Sequence, residues 1–342
     1  MIDAAIAHSS DRVGQATAEM RTSIALCTYN GEAYIAEQLL SILGQTRRPS
    51  EIFIFDDGST DRTVELAEAV LRADSHPDKI DWQININPSN VGVSENFCRA
   101  SQATSAEVVF LCDQDDVWLP NKIAHITAEF ERDRDLTLVH TDARLIGDGG
   151  TPLGLDLFEA LELRSEELAL IAEGSAFRVL IRRNVVTGAT CAFRRTLLEF
   201  AVPFPANWVH DEWLAIVAAA TGKIKCSPER LTDYRQHASN QIGIRKRSIL
   251  EKVHHMFSRR GDFYKRQVHR ADVLISQLDG VPAAADKLHE LTDWKKHLSF
   301  RAALPPNRLK RLPCIYQEIV TGRYSRYSLG FRSVVRDVLE AA

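Results

Sequence analysis

From residue 23 to residue 131 the chain keeps alternating a short apolar run with a stretch whose apolar residues recur at helical spacing. The run 23–28, Ser-Ile-Ala-Leu-Cys-Thr, halts at polar Tyr29-Asn30-Gly31, as a buried strand entering a loop would. Residues 32–43 then set Ile35, Leu39, Leu40 and Leu43 at helical intervals. A second strand is expected at 51–55, ending in Asp56-Asp57-Gly58-Ser59, with a helix at 60–71. A third strand at 82–86, a turn at Asn90-Val91-Gly92 and a helix at 94–103 follow. The fourth strand, 107–112, runs into Asp113-Gln114-Asp115-Asp116, and 122–131 reads as a helix. This alternation predicts an α/β fold, a mainly parallel sheet with helices on both faces. The loops rich in Asp and Gly close strands one, two and four at their carboxyl ends. In open α/β sheets that edge is where ligands bind.

Beyond this region a strand is expected at 137–140 and a glycine-containing loop or hairpin at 143–154. Residues 165–183 read as mostly helical, and 184–193 as a strand interrupted by Gly188. His210-Asp211-Glu212-Trp213 opens a helix through Ala220, and short strands are expected at 223–226 and 231–235. From Ser248 the texture turns to long helical periodicity, with helices at 249–257, 263–278 and 283–301 and a last segment at 309–339. The expected organisation is a loose leader at 1–21, an α/β domain at 22–243 and a basic helical region at 244–342.

Charge divides the chain at nearly the same point. From Arg245 onward there are 20 Lys and Arg against 10 Asp and Glu, which leaves 22 against 36 before it from totals of 42 and 46. Such a tail suits an anionic membrane face or a phosphate-bearing acceptor, or is a set of solvated helix surfaces. The start has no basic segment followed by an apolar run, and no stretch reaches the roughly 18 apolar residues of a membrane-spanning helix. None of the six cysteines (Cys27, Cys98, Cys112, Cys191, Cys226, Cys314) forms a Cys-x-x-Cys pair, so reduced thiols are expected.

Each polar motif has a bland reading beside a chemical one. Asp113, Asp115 and Asp116 repel one another, and rest together only around a cation or in full solvent. Mg²⁺ and Mn²⁺ take oxygen ligands and keep positions open for phosphate oxygens. Asp56-Asp57-Gly58-Ser59 is a nucleotide pocket or a capped turn. It matches the Asp-x-Asp-x-Thr of haloacid dehalogenase phosphatases only in part, because Gly58 stands where the general acid is needed. Gly188 allows a ligand to approach the backbone closely, or makes a bulge. Asp211 and Glu212 cap a helix start, or supply a general base. His237 is a metal ligand or a satisfied loop histidine.

Taken in order, Thr28-Tyr29-Asn30-Gly31, Asp56-Asp57-Gly58-Ser59, Asn90-Val91-Gly92, Asp113-Gln114-Asp115-Asp116, Gly188, His210-Asp211 and His237 resemble glycosyltransferase family 2, with its GT-A fold. The resemblance covers residues 22–243. The Asp113-Gln114-Asp115-Asp116-x-Trp118 loop and Tyr234-Arg235-Gln236-His237 look most like bacterial rhamnosyltransferase-like members. The resemblance implies that Thr28, Tyr29 and Glu32 line the nucleoside pocket. It gives Asp57 the pyrimidine base, with Asp56 supporting the loop. Asp113 would touch ribose or metal, Asp115 and His237 would hold the metal, and Gly188 would face the acceptor. Asp211 matches the catalytic carboxylate. His210 stands where many relatives have Glu, which leaves the role of Glu212 open, and Asp116 belongs to the same acidic loop. Trp118 and Trp213 either stack on sugar faces or pack in the core.

The implied reaction is inverting and metal-dependent, using Mg²⁺ or Mn²⁺. It moves a sugar from a nucleotide diphosphate to a polysaccharide or lipid-linked acceptor hydroxyl. dTDP-rhamnose is the first donor expected and UDP-sugars the next. The expected location is cytoplasmic, with peripheral contact at the inner membrane face, and no nucleic-acid partner is expected. Two rivals are a nucleotidyltransferase and a non-catalytic sugar-nucleotide or glycan-binding module. The first needs a basic Gly-rich loop after strand one, where Thr28-Tyr29-Asn30-Gly31 has no basic residue. The second has no need of Asp211.

Overall fold

The computed structural model describes residues 19–237 and 262–340. Its first part alternates β1 (Thr22–Thr28), α1 (Ile35–Leu43), β2 (Glu51–Asp56), α2 (Thr63–Ala73), β3 (Asp81–Ile86), α3 (Val93–Ala103), β4 (Val108–Asp113), β5 (Val117–Trp118) and α4 (Lys122–Arg132). Four more strands follow: β6 (Leu136–Gly147), β7 (Pro152–Asp156), β8 (Cys191–Arg194) and β9 (Lys223–Gln236). All join one sheet in the order β3-β2-β1-β4-β8-β6-β9-β5, with β7 on β6. The β3-β2-β1-β4 half is parallel. From β4 to β8 and β6 the pairing turns antiparallel.

β1, β2 and β4 carry mainly apolar, buried runs because both faces of the sheet are covered there, whereas β3 at the edge alternates and is only partly buried. Successive residues of β1 point to opposite faces. Ile24 and Leu26 join a core with Leu39, Ile54, Ala67 and Ile123. Ala25 and Cys27 join a second core on the other face, with Phe97, Trp213 and Leu214. Phe110 and Val109 of β4 divide in the same way.

Several elements differ from the expectation. The strand at 137–140 extends to Gly147, and the loop after it is a hairpin with β7. The strand expected at 184–193 is instead a 3₁₀ turn, Gly188–Thr190, followed by β8. The two short strands at 223–226 and 231–235 are one strand, β9. Its register against β6 skips from Ser227 to Arg230. Pro228 lies in that skip, where its missing N–H breaks no ladder bond.

The C-terminal helices Phe263–Leu278 and Ala285–Ala302 share a core with the first part of the chain. Ala271, Leu274, Leu291 and Trp294 belong to the same core as the helix His210–Thr221. The last expected segment is three helices, Arg308–Val320, Arg323–Tyr327 and Phe331–Leu339. A buried polar knot ties them together. Asp337 is fully buried and accepts from Arg301 Nε and Nη2 at 2.8 and 2.7 Å and from the Tyr324 hydroxyl at 2.6 Å. Residues 1–18 of the leader, the helix at 249–257 and the boundary near 243–248 lie outside the described residues.

No helix among the described residues is long and apolar enough to cross a membrane. All six cysteines are free thiols.

Candidate active site

The rim at the carboxyl ends of β1, β2 and β4 is stitched together by side chains. Asp56 is fully buried and accepts from the Thr28 hydroxyl at 2.7 Å and from the Ser59 N–H at 2.7 Å. Asp57 accepts from the Asn87 amide (2.9 Å) and from the N–H groups of Val91 (2.8 Å) and Gly92 (2.9 Å). Both carboxylates therefore hold loops, whereas only Asp56 was expected to. Asp57 is 3% exposed, and three of the roughly four lone-pair sites of a carboxylate are already taken. Glu32 accepts from the Arg62 N–H at 3.0 Å, tying the first loop to the start of α2, and Tyr29 stays open to solvent.

Gln114 clasps the first loop to the acidic one. Its amide accepts from the Tyr29 N–H at 2.8 Å and donates to the Tyr29 carbonyl at 3.0 Å. A Cβ on Gly31 would stand 2.2 Å from the same amide, so the clasp requires glycine there.

The acidic loop meets the end of β9. His237 Nε2 lies 2.8 Å from Asp115 Oδ2, across 122 residues of sequence. The imidazole stacks on Tyr34, with ring centroids 5.0 Å apart. Arg235 is 2% exposed and acts as the strut behind this pair. It donates to the Asp115 carbonyl at 2.7 Å, the Asp148 carbonyl at 2.6 Å and Glu37 at 2.6 Å. Its own N–H donates to Asp116 Oδ1 at 3.1 Å, while Asp116 Oδ2 is buried with no hydrogen-bond partner among the described residues.

Burial, followed by the charges of Asp115 and Asp211, pushes Asp113 up to about 7. Asp116 is raised for the same first reason, with Asp115 and Asp113 adding to it. Tyr234 is raised first by burial and then by Asp116, Asp113, Asp115 and Asp211 together. One phenol thus feels four carboxylates brought from two distant parts of the chain. Lys122 is the buried counter-charge. Its ammonium donates to the Ala189 carbonyl at 2.6 Å and Thr232 at 2.9 Å and sits 3.9 Å from the Trp118 ring centroid. Burial lowers it to about 8.

Asp211 faces this group from the start of the helix His210–Thr221. It accepts from the Gly188 N–H at 3.0 Å and the Glu212 N–H at 2.6 Å, and burial raises it to about 6. His210 is buried against Phe97, with ring centroids 4.0 Å apart, and burial lowers it to about 3, so it stays neutral. A Cβ on Gly188 would lie 2.8 Å from His210 Nε2, and the stacked ring has little room to move. Gly188→Ala is expected to cost about 1–3 kcal/mol in urea denaturation, the usual overpacking penalty. An unchanged midpoint would show that the turn yields freely.

Three residues whose roles the sequence left open are placed here. Glu212 turns away to an ion pair with Arg270 at 2.5 Å, which anchors the helix Phe263–Leu278. Trp213 is fully buried and donates to the Ala201 carbonyl at 2.7 Å. Trp118 is 2% exposed, packed against Phe110 and Lys122. Neither indole has a face for a sugar, because core packing uses both.

Among the described residues no cluster of three or more His, Cys, Asp or Glu forms a ready metal cage. The donor set at Asp115 and His237 still fits a divalent ion. One carboxylate and one imidazole lie in contact, both largely buried, beside an acidic loop with an orphaned carboxylate oxygen. A pair of protein ligands is what a site completed by phosphate oxygens and water needs.

Sequence reasoning gave no role to Gln114, Lys122, Arg235 or Tyr34. Arg235 stood inside a motif already singled out, but its partners come from three distant segments. Lys122 carried no signal, because a lysine at a helix start reads as a surface residue.

A half-parallel sheet whose loops gather these carboxylates beside an imidazole is the architecture of a GT-A glycosyltransferase. The chain matches the family described as Glycosyl transferase family 2 over residues 23–200, more than half its length, and it belongs to that family. It is 30% identical over 227 residues to an uncharacterized glycosyltransferase of Nostoc, covering 65% of this chain and 66% of that protein. A shorter match, 39% over 101 residues, is to the dTDP-rhamnosyl transferase RfbG of Shigella flexneri, covering 29% of this chain and 34% of that one. In fold it is similar to S. aureus TarS 1–349 in complex with UDP-GlcNAc, with TM-score 0.55, 18% identity and coverage of 94% and 90%. The chain spans about two thirds of the Nostoc relative and 59% of three mycobacterial ones.

Proposed function

We propose that this glycosyltransferase works by inverting single displacement, with Asp211 as general base. The observation that carries the reading is the meeting of Asp211, held over Gly188, with Asp113 and the Asp115–His237 pair on one rim. Asp211 takes the acceptor hydroxyl proton. The hydroxyl oxygen bonds to the anomeric carbon as the bond from that carbon to the diphosphate oxygen breaks, and the nucleotide diphosphate leaves. Thr28, Tyr29, Glu32 and Asp57 form the nucleoside pocket, with one acceptor site of Asp57 left for a base N–H. Asp113 contacts the ribose or the metal. Asp115 and His237 would hold Mg²⁺ or Mn²⁺, which supplies neutralising charge for the leaving diphosphate.

The donor is dTDP-rhamnose on the partial similarity to RfbG. UDP-sugars come second, since the TarS structure holds UDP-GlcNAc. PcManGT, a structural neighbour with TM-score 0.50, is in complex with GDP-Man and Mn²⁺, which supports the metal. The acceptor is a polysaccharide or lipid-linked saccharide, met at the inner membrane face by the basic helical region 244–342, while residues 22–243 carry the chemistry.

The test is a panel of nucleotide sugars with Mn²⁺, following release of nucleotide diphosphate. One donor should be hydrolysed well above the others, and exhaustive chelation should abolish the signal. Tight binding of a donor without any turnover would identify a binding module instead. Full activity after chelation would remove the metal from the scheme.

A further inference from the structure

A cavity of about 530 Å³ opens among the C-terminal helices and includes Ile181 and Arg182 in its lining. Phe263, Trp294, Leu298, Tyr327, Phe331 and Val335 make its apolar wall. Phe331 at its mouth is 78% exposed, and Leu329 and Phe263 are 42% and 40% exposed. Four arginines line the same space, Arg182, Arg301, Arg332 and Arg336, and none of its lining residues is acidic. Arg301 is neutralised by Asp337. Arg182 donates Nε to the Arg326 carbonyl at 2.9 Å, and neither it nor Arg332 forms an ion pair among the described residues. The Tyr327 hydroxyl is buried without a hydrogen-bond partner among the described residues. A second cavity of about 250 Å³ shares Ile181, Arg182, Phe263, Gln267 and Trp294 with the first. It extends to Glu212, the residue next to Asp211.

Apolar walls call for a hydrocarbon, and uncompensated guanidinium groups call for a phosphate. The volume falls within the roughly 300–1,000 Å³ of small-molecule sites. Exposed aromatic side chains beside arginine also suit a surface that meets lipid. We propose that this groove binds a lipid phosphate, with its chain on the Phe263–Phe331 wall and its phosphate on Arg182 and Arg332. It would thereby hold a membrane-borne acceptor beside the catalytic helix. The proposal rests on the transferase reading, since it makes the bound amphiphile the acceptor.

The experiment is calorimetric titration of the full chain with dodecyl phosphate below its micelle concentration. Inorganic phosphate and dodecyl maltoside serve as the head-only and uncharged-head arms. Dodecyl phosphate should bind one to one. Each control should bind at least roughly tenfold more weakly, as loss of a charge-assisted contact implies. Arg332→Glu and Phe331→Ser change exposed residues and should fold normally by circular dichroism. Each should weaken dodecyl phosphate roughly tenfold. Equal binding of dodecyl maltoside, or parental affinity in both variants, would overturn the proposal. So would a dimer in sedimentation that Phe331→Ser dissociates, which would assign the face to a second copy. Donor hydrolysis by the same parental preparation separates the two failures. Hydrolysis without amphiphile binding overturns the groove alone. Amphiphile binding without hydrolysis of any donor supports the groove and sinks the transferase reading.

Discussion

Asp211→Asn should turn over roughly 10²–10⁴-fold more slowly than the parent, the range for losing a positioned general base, and should be no less stable. Both outcomes come from the same burial. The Asp211 carboxylate is 9% exposed, and burial raises it from an ordinary 3.8 to about 6. A folded-state value above the unfolded one means that folding takes up a proton between about pH 4 and pH 6. Stability from this group is therefore fully present below about pH 4 and lost as pH rises through about 6. At neutral pH the ionised side chain is a cost of up to about 3 kcal/mol, at about 1.4 kcal/mol per pH unit. Asparagine keeps the size and removes the charge. Its oxygen can still accept from the Gly188 N–H, so the turn should survive.

The pH profile follows from the same value. A base must be ionised, so kcat/KM should fall below about pH 6 with unit slope. Urea denaturation of the variant at pH 7 and the rate profile of the parent together check the assignment. Near-parental turnover in a folded Asp211→Asn protein would reassign the base. A loss of stability equal to the loss of activity would make Asp211 a structural residue.

Asp337→Ala should destabilise the protein by about 3–5 kcal/mol, the cost of leaving a buried charge without its partner. Asp337 is fully buried, and it takes both forks of Arg301 together with the Tyr324 hydroxyl. Removing it strands one guanidinium and one phenol away from water. Arg301→Met with Asp337→Leu should recover most of the loss, because a buried pair and well-packed hydrocarbon often come out even. Comparing urea midpoints of the single and double variants measures this directly. The C-terminal helices share the core of the helix His210–Thr221, so the single variant should unfold in one transition with the rest of the chain. An early, separate transition for the C-terminal helices would show that they are a domain of their own.

Much of the parallel half was legible from periodicity. In β1 to β4 and α1 to α4 the local pattern and the tertiary outcome agree, because each element packs along the stripe or run that its own residues define, β3 only through partly buried Trp82 and Ile84. Agreement failed where a strand's ends depend on its neighbour. β6 and β9 look short in isolation, yet they run to Gly147 and Gln236 because each supplies the other's hydrogen bonds. At the site, the family resemblance implied the Asp115–His237 meeting, but not what supports it. Trp118 and Trp213 stayed open between sugar platforms and core because a sequence does not say which indole faces inward.

The order of apolar and polar residues alone specified an α/β sheet with acidic loops on its carboxyl edge, since those features depend on near neighbours in the chain. Only the folded molecule decided that Arg235 and Lys122 stand behind the acidic loop, and that Glu212 pairs with Arg270 of a C-terminal helix. Those pairings join segments far apart in the chain, and a buried charge finds its partner through space, where separation along the sequence carries no information.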